Sequence, residues 1–361
     1  MRDRRFWLGL GASALFIALL LWRIDFRGTA AAFRDADYVL LVPAVGLYFV
    51  ALGFRTWRWG VMLRPLKALG FGRLFPVMAV GYMANNLLPV RLGELVRSYY
   101  LGQREGVSKS ASLATIVIER VLDGVVLLWL LAAVASALPL TSLAGALAQD
   151  TGIPLGFMAV VAVLPFALAL AFLLLAAYKP AIPLALLRSI TRPLPQALAD
   201  KVHELAALFF SGLASLRGPR LLWLLLLTVP VWLGEAAMYY AVGVAFGLSG
   251  HLGGLAMMVW VMLAVTATSN LATALPSSQG GVGPFELFAA ATLVVLGAPR
   301  ELATAYAIVL HVTLLAPVTL LGLAYLWSGK HSFVQMARLG TRMNDQEPGG
   351  KDAPAASKEA S

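Results

Sequence analysis

The chain has 361 residues, 60% of them hydrophobic and only 13% charged, with a formal net charge of +10. Soluble domains average about 25% charged residues, so this composition cannot cover a water-facing surface, and a mean hydropathy of +0.81 places the chain in a bilayer. There is no cysteine, which excludes disulfides and thiolate chemistry. The four histidines (His203, His251, His311 and His331) show no HExxH spacing, so no metal and no cofactor is expected.

In chain order, the apolar runs are Phe6–Trp22, Tyr38–Phe54, Leu113–Leu138, Ile153–Tyr178, Leu221–Leu248, Leu252–Leu275, Phe285–Leu296 and Leu302–Trp327. Most approach the ~20 residues that a spanning helix needs, and Phe285–Leu296 falls short. The first run follows Arg2, Arg4 and Arg5 and reads as an uncleaved signal anchor, being longer than a signal-peptide h-region and followed by more spans. The basic residues fall between the runs, where they fix topology and meet anionic headgroups, and this argues against a nucleic-acid partner.

Basic residues favour the cytoplasmic side. The amino terminus starts inside, and the balanced segment after the first run lies outside. The connection carrying Arg55, Arg58, Arg64, Lys67 and Arg73 lies inside, as does 91–109 with Arg91, Arg97, Arg104 and Lys109. Two consecutive inside loops flank Leu74–Val90, so that stretch is expected to enter and return as a re-entrant hairpin. Leu252–Leu275 with Phe285–Leu296 is either a second hairpin, entering from outside, or two ordinary crossings; the charges fit both. With hairpins, residues 1–140 and 150–328 form an inverted-topology repeat within a membrane domain spanning 1–328. The fold class is therefore all-α, a polytopic integral membrane protein with about six full spans plus two re-entrant or broken hairpins and both termini cytoplasmic.

Within the cytoplasmic segment 180–220, residues 195–217 place Leu198, Val202, Leu205, Leu208 and Phe209 at helical spacing. The stripe suits either the membrane interface or packing on the protein itself. Residues 329–361 form a cytoplasmic tail, mostly disordered from about Thr341, where apolar content runs out.

Charged and helix-breaking residues interrupt the apolar sequence twice in the same order: NNLLPVRLGELVR at 85–97 and NLATALPSSQGGVGPFE at 270–286. Broken helices at membrane depth must line a cavity or be covered by protein, and matched interruptions in two halves point to a transporter's binding site. In the first, the amides of Asn85 and Asn86 suit freed backbone groups, Pro89 stops a helix, and Gly93 gives conformational freedom. Arg91 and Arg97 offer planar forks to a phosphate, with Glu94 holding one of them or meeting a cationic headgroup. In the second, Pro276, Gly280, Gly281, Gly283 and Pro284 leave amides free at a helix start, a favourable place for an anion, with Ser277 and Ser278 adding hydroxyls.

Between the interruptions, Glu119 and Asp123 share one helical face, and Arg120 lies three residues from Asp123, so these charges either line a path or staple their own helix. Ser108 is positioned to cap that helix. Glu235 lies mid-span without a basic neighbour within a turn, so its partner must come from another helix or it must be protonated. His311 reads as a hydrogen-bonded interior group, with a proton relay as the alternative.

LLPVRLGELVR, ATIVIERVLDG and ALPSSQGGVGPFE, in that order, resemble the transmembrane domain of lysylphosphatidylglycerol synthases (multiple peptide resistance factors) and its stand-alone relatives, over about residues 5–328. That resemblance implies movement of an aminoacylated phospholipid between leaflets of the bacterial cytoplasmic membrane. It carries site roles to Pro89, Arg91, Gly93, Glu94 and Arg97; to Glu119, Arg120 and Asp123; and to Pro276, Gly280, Gly281, Gly283 and Glu286. The soluble transferase domain of the bifunctional members is missing, so the chain is not expected to make the lipid, and Ser278-Gln279 stands where Pro-Gly is expected. The reading is a non-enzymatic lipid translocase, with phosphate-bearing membrane lipids as partners and a homo-oligomer or a separate lipid synthase as further ones. The alternatives are an integral-membrane enzyme acting on lipid-linked substrates and a non-transporting partner of a synthase.

Overall fold

The computed structural model describes residues 25–88, 92–135, 155–193, 195–274 and 279–328, together with 11, 14–18 and 138. Most of the first apolar run, Pro89, Arg91, Pro276, Ser277, Ser278 and the tail 329–361 lie outside the described residues. The described residues form helices α1 (Phe26–Asp35), α2 (Leu41–Leu63), α3 (Phe71–Leu87), α4 (Gly93–Glu105), α5 (Lys109–Val134), α6 (Leu155–Tyr178), α7 (Ala181–Thr191), α8 (Gln196–Gly212), α9 (Arg220–Ala245), α10 (Gly254–Ala272), α11 (Pro284–Val295) and α12 (Arg300–Ser328). The protein is an all-α integral membrane protein.

Local chemistry accounts for several boundaries. The Asp25 carboxylate accepts from the amides of Arg27 at 2.9 Å and Gly28 at 3.1 Å, opening α1. Ser108 accepts from the Ala111 amide at 3.3 Å and opens α5, as its position in sequence predicts. Helix α4 ends at Gly106 in the left-handed region, where glycine carries no Cβ penalty.

Among the described residues, four helices are long and apolar enough to cross a bilayer: Tyr38–Leu63, Arg220–Ala245, Gly254–Ala272 and Arg300–Trp327. Val163–Tyr178 and Ala181–Thr191 form a fifth candidate as a pair bent by 102°. Lipid-facing positions stay apolar: Val42, Val50 and Trp57 on α2, Leu222 and Leu226 on α9, and Leu320 on α12 are all exposed. Water would not tolerate so extensive an apolar surface, and a bilayer covers it.

Helices α2 and α9 form the central pair and make the most extensive helix–helix contact. Around them α3 packs on α12 and α10 on α5; α3 packs on α4 and α10 on α11; α4 packs on α5 and α11 on α12. The segment Gln279–Gly281 packs against α3, so the two interruptions converge.

The α3–α4 contact is tight at Gly93. A Cβ there would overlap the Gly81 carbonyl and the Asn85 amide of α3, so only glycine permits this approach. Gly93→Ala is expected to cost about 1–3 kcal/mol through overpacking, read as a lower Tm of the detergent-purified protein.

One expectation needs correction. Arg55 and Arg58 are not loop residues: α2 continues to Leu63 and buries both. The inside assignment of that connection then rests on Arg64, Lys67 and Arg73. The 195–217 stripe is divided. Helix α8 packs on α5, with the Ser110 hydroxyl donating to the Leu205 carbonyl at 2.8 Å, while Leu198, Leu205 and Leu208 remain exposed.

Candidate functional site

A ladder of buried charges crosses the bundle from α4 through α5 and α2 to α9. Arg55 Nη2 donates to Glu235 Oε2 at 2.7 Å, and its Nη1 to Asp123 Oδ2 at 3.4 Å. The Arg55 guanidinium also lies 4.5 Å from the centre of the Trp232 ring. Arg58 is fully buried; its Nη1 donates to Asp123 Oδ1 at 2.6 Å and to the Thr228 hydroxyl at 2.8 Å, and its Nη2 forms an ion pair with Glu119 Oε1 at 3.4 Å. Arg97 Nη2 donates to Glu119 Oε2 at 2.8 Å, with its guanidinium 3.7 Å from the centre of the Trp59 ring. Arg120 Nε reaches Glu94 Oε1 at 2.9 Å and has a looser 3.9 Å contact with Asp123. Four arginines thus face four carboxylates, and the formal charges cancel. Arg120 and Glu94 are part-exposed; burying the other six ions is tolerable only because each has opposite charge and hydrogen bonds at hand.

One side of this ladder opens into a cavity of about 450 Å³ between the two interruptions. Its charged lining is Arg55, Glu94, Arg120, Asp123 and Glu235; Asn85, Asn86 and Asn270 add amides, and Tyr48, Tyr82, Trp232 and Phe285 form aromatic walls. His311 and Gly280 also line it. A volume of this order suits a small-molecule headgroup. The Asn86 amide donates to the Thr319 hydroxyl at 2.9 Å and to the Leu315 carbonyl at 3.4 Å, so it ties α3 to α12 and does not mend a broken helix.

The predicted residues divide into three sets. Asn85, Asn86, Glu94, Arg120, Asp123, Glu235 and Gly280 come together at the cavity. Gly93, Arg97, Glu119, Gly281, Gly283 and Glu286 stand behind it: Arg97 is occupied by Glu119 and Trp59, so it is not an open phosphate fork, and Glu94 holds Arg120 and not Arg97. Pro89, Arg91, Pro276, Ser277 and Ser278 lie outside the described residues. The main short bond of Arg120 goes to another helix, so the stapling of α5 to itself is the lesser contact. Glu235 does find its partner on another helix, in Arg55.

At the second interruption, the Gly283 amide donates to Glu286 Oε2 at 2.8 Å. The acceptor expected at that helix start is therefore supplied by the chain itself, in the side chain of Glu286. Gly280, Gly281 and Gly283 have φ of 69°, 81° and 101°, a succession that side-chain-bearing residues avoid. Arg55 and Arg58 are the residues the sequence reading missed. Their signal was an i, i+3 pair with Trp57 and Trp59 on either side of Arg58, together with a mid-span Glu235 in need of a cation.

The sequence profile of the lysylphosphatidylglycerol synthase TM region matches residues 6–322. A UPF0104 membrane protein of Methanothermobacter thermautotrophicus is 25% identical over 334 residues, covering 88% of this chain and 92% of that protein. Another UPF0104 membrane protein of that organism is 39% identical over 95 residues, covering 26% of this chain and 28% of its own length. Glycosyltransferase AglD of Haloferax volcanii is 27% identical over 338 residues, 87% of this chain, although the match spans only 52% of AglD. No solved structure matches. The chain belongs to the family of lysylphosphatidylglycerol synthase transmembrane regions.

Proposed function

We propose that the protein is a flippase-like lipid translocase that carries the headgroup of a phospholipid, aminoacyl-phospholipid or lipid-linked sugar across the bacterial cytoplasmic membrane. The observation that carries this reading is the cavity of about 450 Å³ with charged and amide lining, set between two breaks in an otherwise apolar bundle. Polar lining in a bilayer is costly unless it faces water or a polar cargo. The part-exposed fork of Arg120 suits a phosphate, and the part-exposed carboxylate of Glu94 beside it suits an amine or hydroxyls. The acyl chains stay in the bilayer while the headgroup crosses.

A two-fold pattern in the helix packing supports the same reading. Exchanging α2 with α9, α3 with α10, α4 with α11 and α5 with α12 maps the packing pairs onto one another. It also maps Glu94–Arg120 onto Glu286–His311: each acid opens the short helix after a break, and each partner is the twelfth residue of its helix, counting from Lys109 and Arg300. On the proposed inverted topology, with both termini cytoplasmic, the two breaks would enter from opposite faces.

The test is headgroup accessibility in vesicles holding the purified protein. Chemical reduction of inner-leaflet fluorescent lipid is expected to accelerate for phosphate-bearing headgroups. No acceleration across aminoacyl, zwitterionic, anionic and glycosyl headgroups overturns the reading. The similarity to AglD favours a second reading, an enzyme acting on lipid-linked sugars, with Asp123 or Glu235 as acid or base. Product formation by the purified protein, without lipid movement, selects it.

A further inference from the structure

The Glu286–His311 pair has a hydrogen-bond pattern that fixes its proton count. His311 Nε2 lies 3.1 Å from the Gly280 carbonyl oxygen, and its Nδ1 lies 2.6 Å from Glu286 Oε1. A carbonyl oxygen only accepts, so Nε2 carries a hydrogen. If the imidazole is neutral, Nδ1 is then an acceptor, and the 2.6 Å contact is a hydrogen bond only when the Glu286 carboxyl carries a proton. If the imidazole is charged, both nitrogens donate and Glu286 is a carboxylate. Either arrangement holds one proton more than a neutral histidine beside a carboxylate.

We infer that Glu286 and His311 form a proton-binding site whose proton latches the Gly280–Gly283 turn against the cavity. Glu286 holds the turn at both ends, through the Gly283 amide directly and through His311 to the Gly280 carbonyl. Loss of the proton to cavity water leaves one hydrogen for two acceptors. The carboxylate claims it on Nδ1, the bare Nε2 then faces the Gly280 oxygen, and the turn is released. Phe285 stacks on His311 with centroids 4.2 Å apart, so the ring cannot turn away cheaply, and both His311 and Glu286 are buried.

Among the described residues, other charges do not supply an alternative partner. Arg55 is bound to Glu235 and Asp123, and Arg120 to Glu94, across the cavity. Helix α3 presents Tyr82 to the cavity, α9 presents Glu235 there and places Tyr239 against Phe285, and α1 meets α12 ten residues away at Glu301, with Arg27, Arg34 and Asp35 as its charges. Because Gly280 and His311 line the same cavity as Arg55 and Asp123, the proton count of the pair sets the shape of that wall. The site is thus placed to couple proton movement to whatever the cavity binds.

The test is hydrogen–deuterium exchange of the full chain in lipid nanodiscs, followed on peptides containing Gly280–Phe285 and corrected for the intrinsic pH dependence of exchange. Wild type is expected to be protected at pH ~5 and to exchange about tenfold faster at pH ~9, values that bracket the ordinary imidazole range. Glu286→Gln supplies an amide donor to Nδ1 without a titrating proton, and is expected to stay protected at both values. His311→Phe keeps the stacking but lacks both nitrogens, and is expected to exchange fast at both. A wild-type protein whose corrected protection is the same at both values overturns the inference, even where neither variant folds. So does a Glu286→Gln protein that loses protection as wild type does.

Discussion

Arg58→Met is expected to lower stability by about 3–5 kcal/mol, the cost of leaving buried charge without its partner. Arg58 is fully buried and serves Asp123, Glu119 and Thr228 from one guanidinium. Met keeps the volume and removes the charge, leaving an excess of negative charge where α2, α5 and α9 meet. Arg97 cannot move across to help, because it is held by Glu119 and the Trp59 face. Arg58→Lys should fall between wild type and Arg58→Met, since an ammonium lacks the fork that spans two carboxylates. Thermal unfolding and monodisperse yield in detergent are the measurements. An unchanged Tm for Arg58→Met would mean that Asp123 and Glu119 are not both ionised in the folded protein.

Arg120→Gln is expected to separate function from folding. Its pair with Glu94 lies on the cavity wall, with side chains 37% and 31% exposed, and a pair so open contributes about 1 kcal/mol or less to stability. The Tm should therefore move little. Lipid movement in vesicles should fall by about tenfold or more, because a phosphate on the cavity side loses a charged donor worth roughly 1.5–3 kcal/mol. Arg120→Lys keeps the charge, loses the fork, and should recover only part of the rate. If activity and folding fall together, Arg120 belongs with Arg58 as a structural ion.

The membrane class, the helical architecture and the two breaks were all legible in sequence, because apolar run length and the Asn, Leu-Pro, Gly, Glu order are local properties. The Ser108 cap was legible for the same reason, since its acceptor and donor lie three residues apart. The ladder was only half legible. Glu119, Asp123 and Glu235 stand out as acids inside apolar runs, but Arg55 and Arg58 follow Phe54 and read as the basic edge of a loop. Their partners lie 65 to 180 residues away, at distances no periodicity encodes. The same gap explains Arg97: its place in the first break suggests an open phosphate site, and only the packing of α4 on α5 shows that Glu119 occupies it. The partnership of His311 with Glu286 is likewise tertiary, although both residues stand out singly.

The cancelling charges of the ladder bear on how the protein responds to voltage. A membrane potential exerts about 2.3 kcal/mol per elementary charge per 100 mV on charge that moves through it. Arg55, Arg58, Arg97 and Arg120 with Glu94, Glu119, Asp123 and Glu235 sum to zero, so a shift along the membrane normal that carries them together transfers no net charge. On the proposed translocation, the ladder then adds nothing to a dependence of the rate on potential, which reports other charges such as that of the cargo or of a released proton.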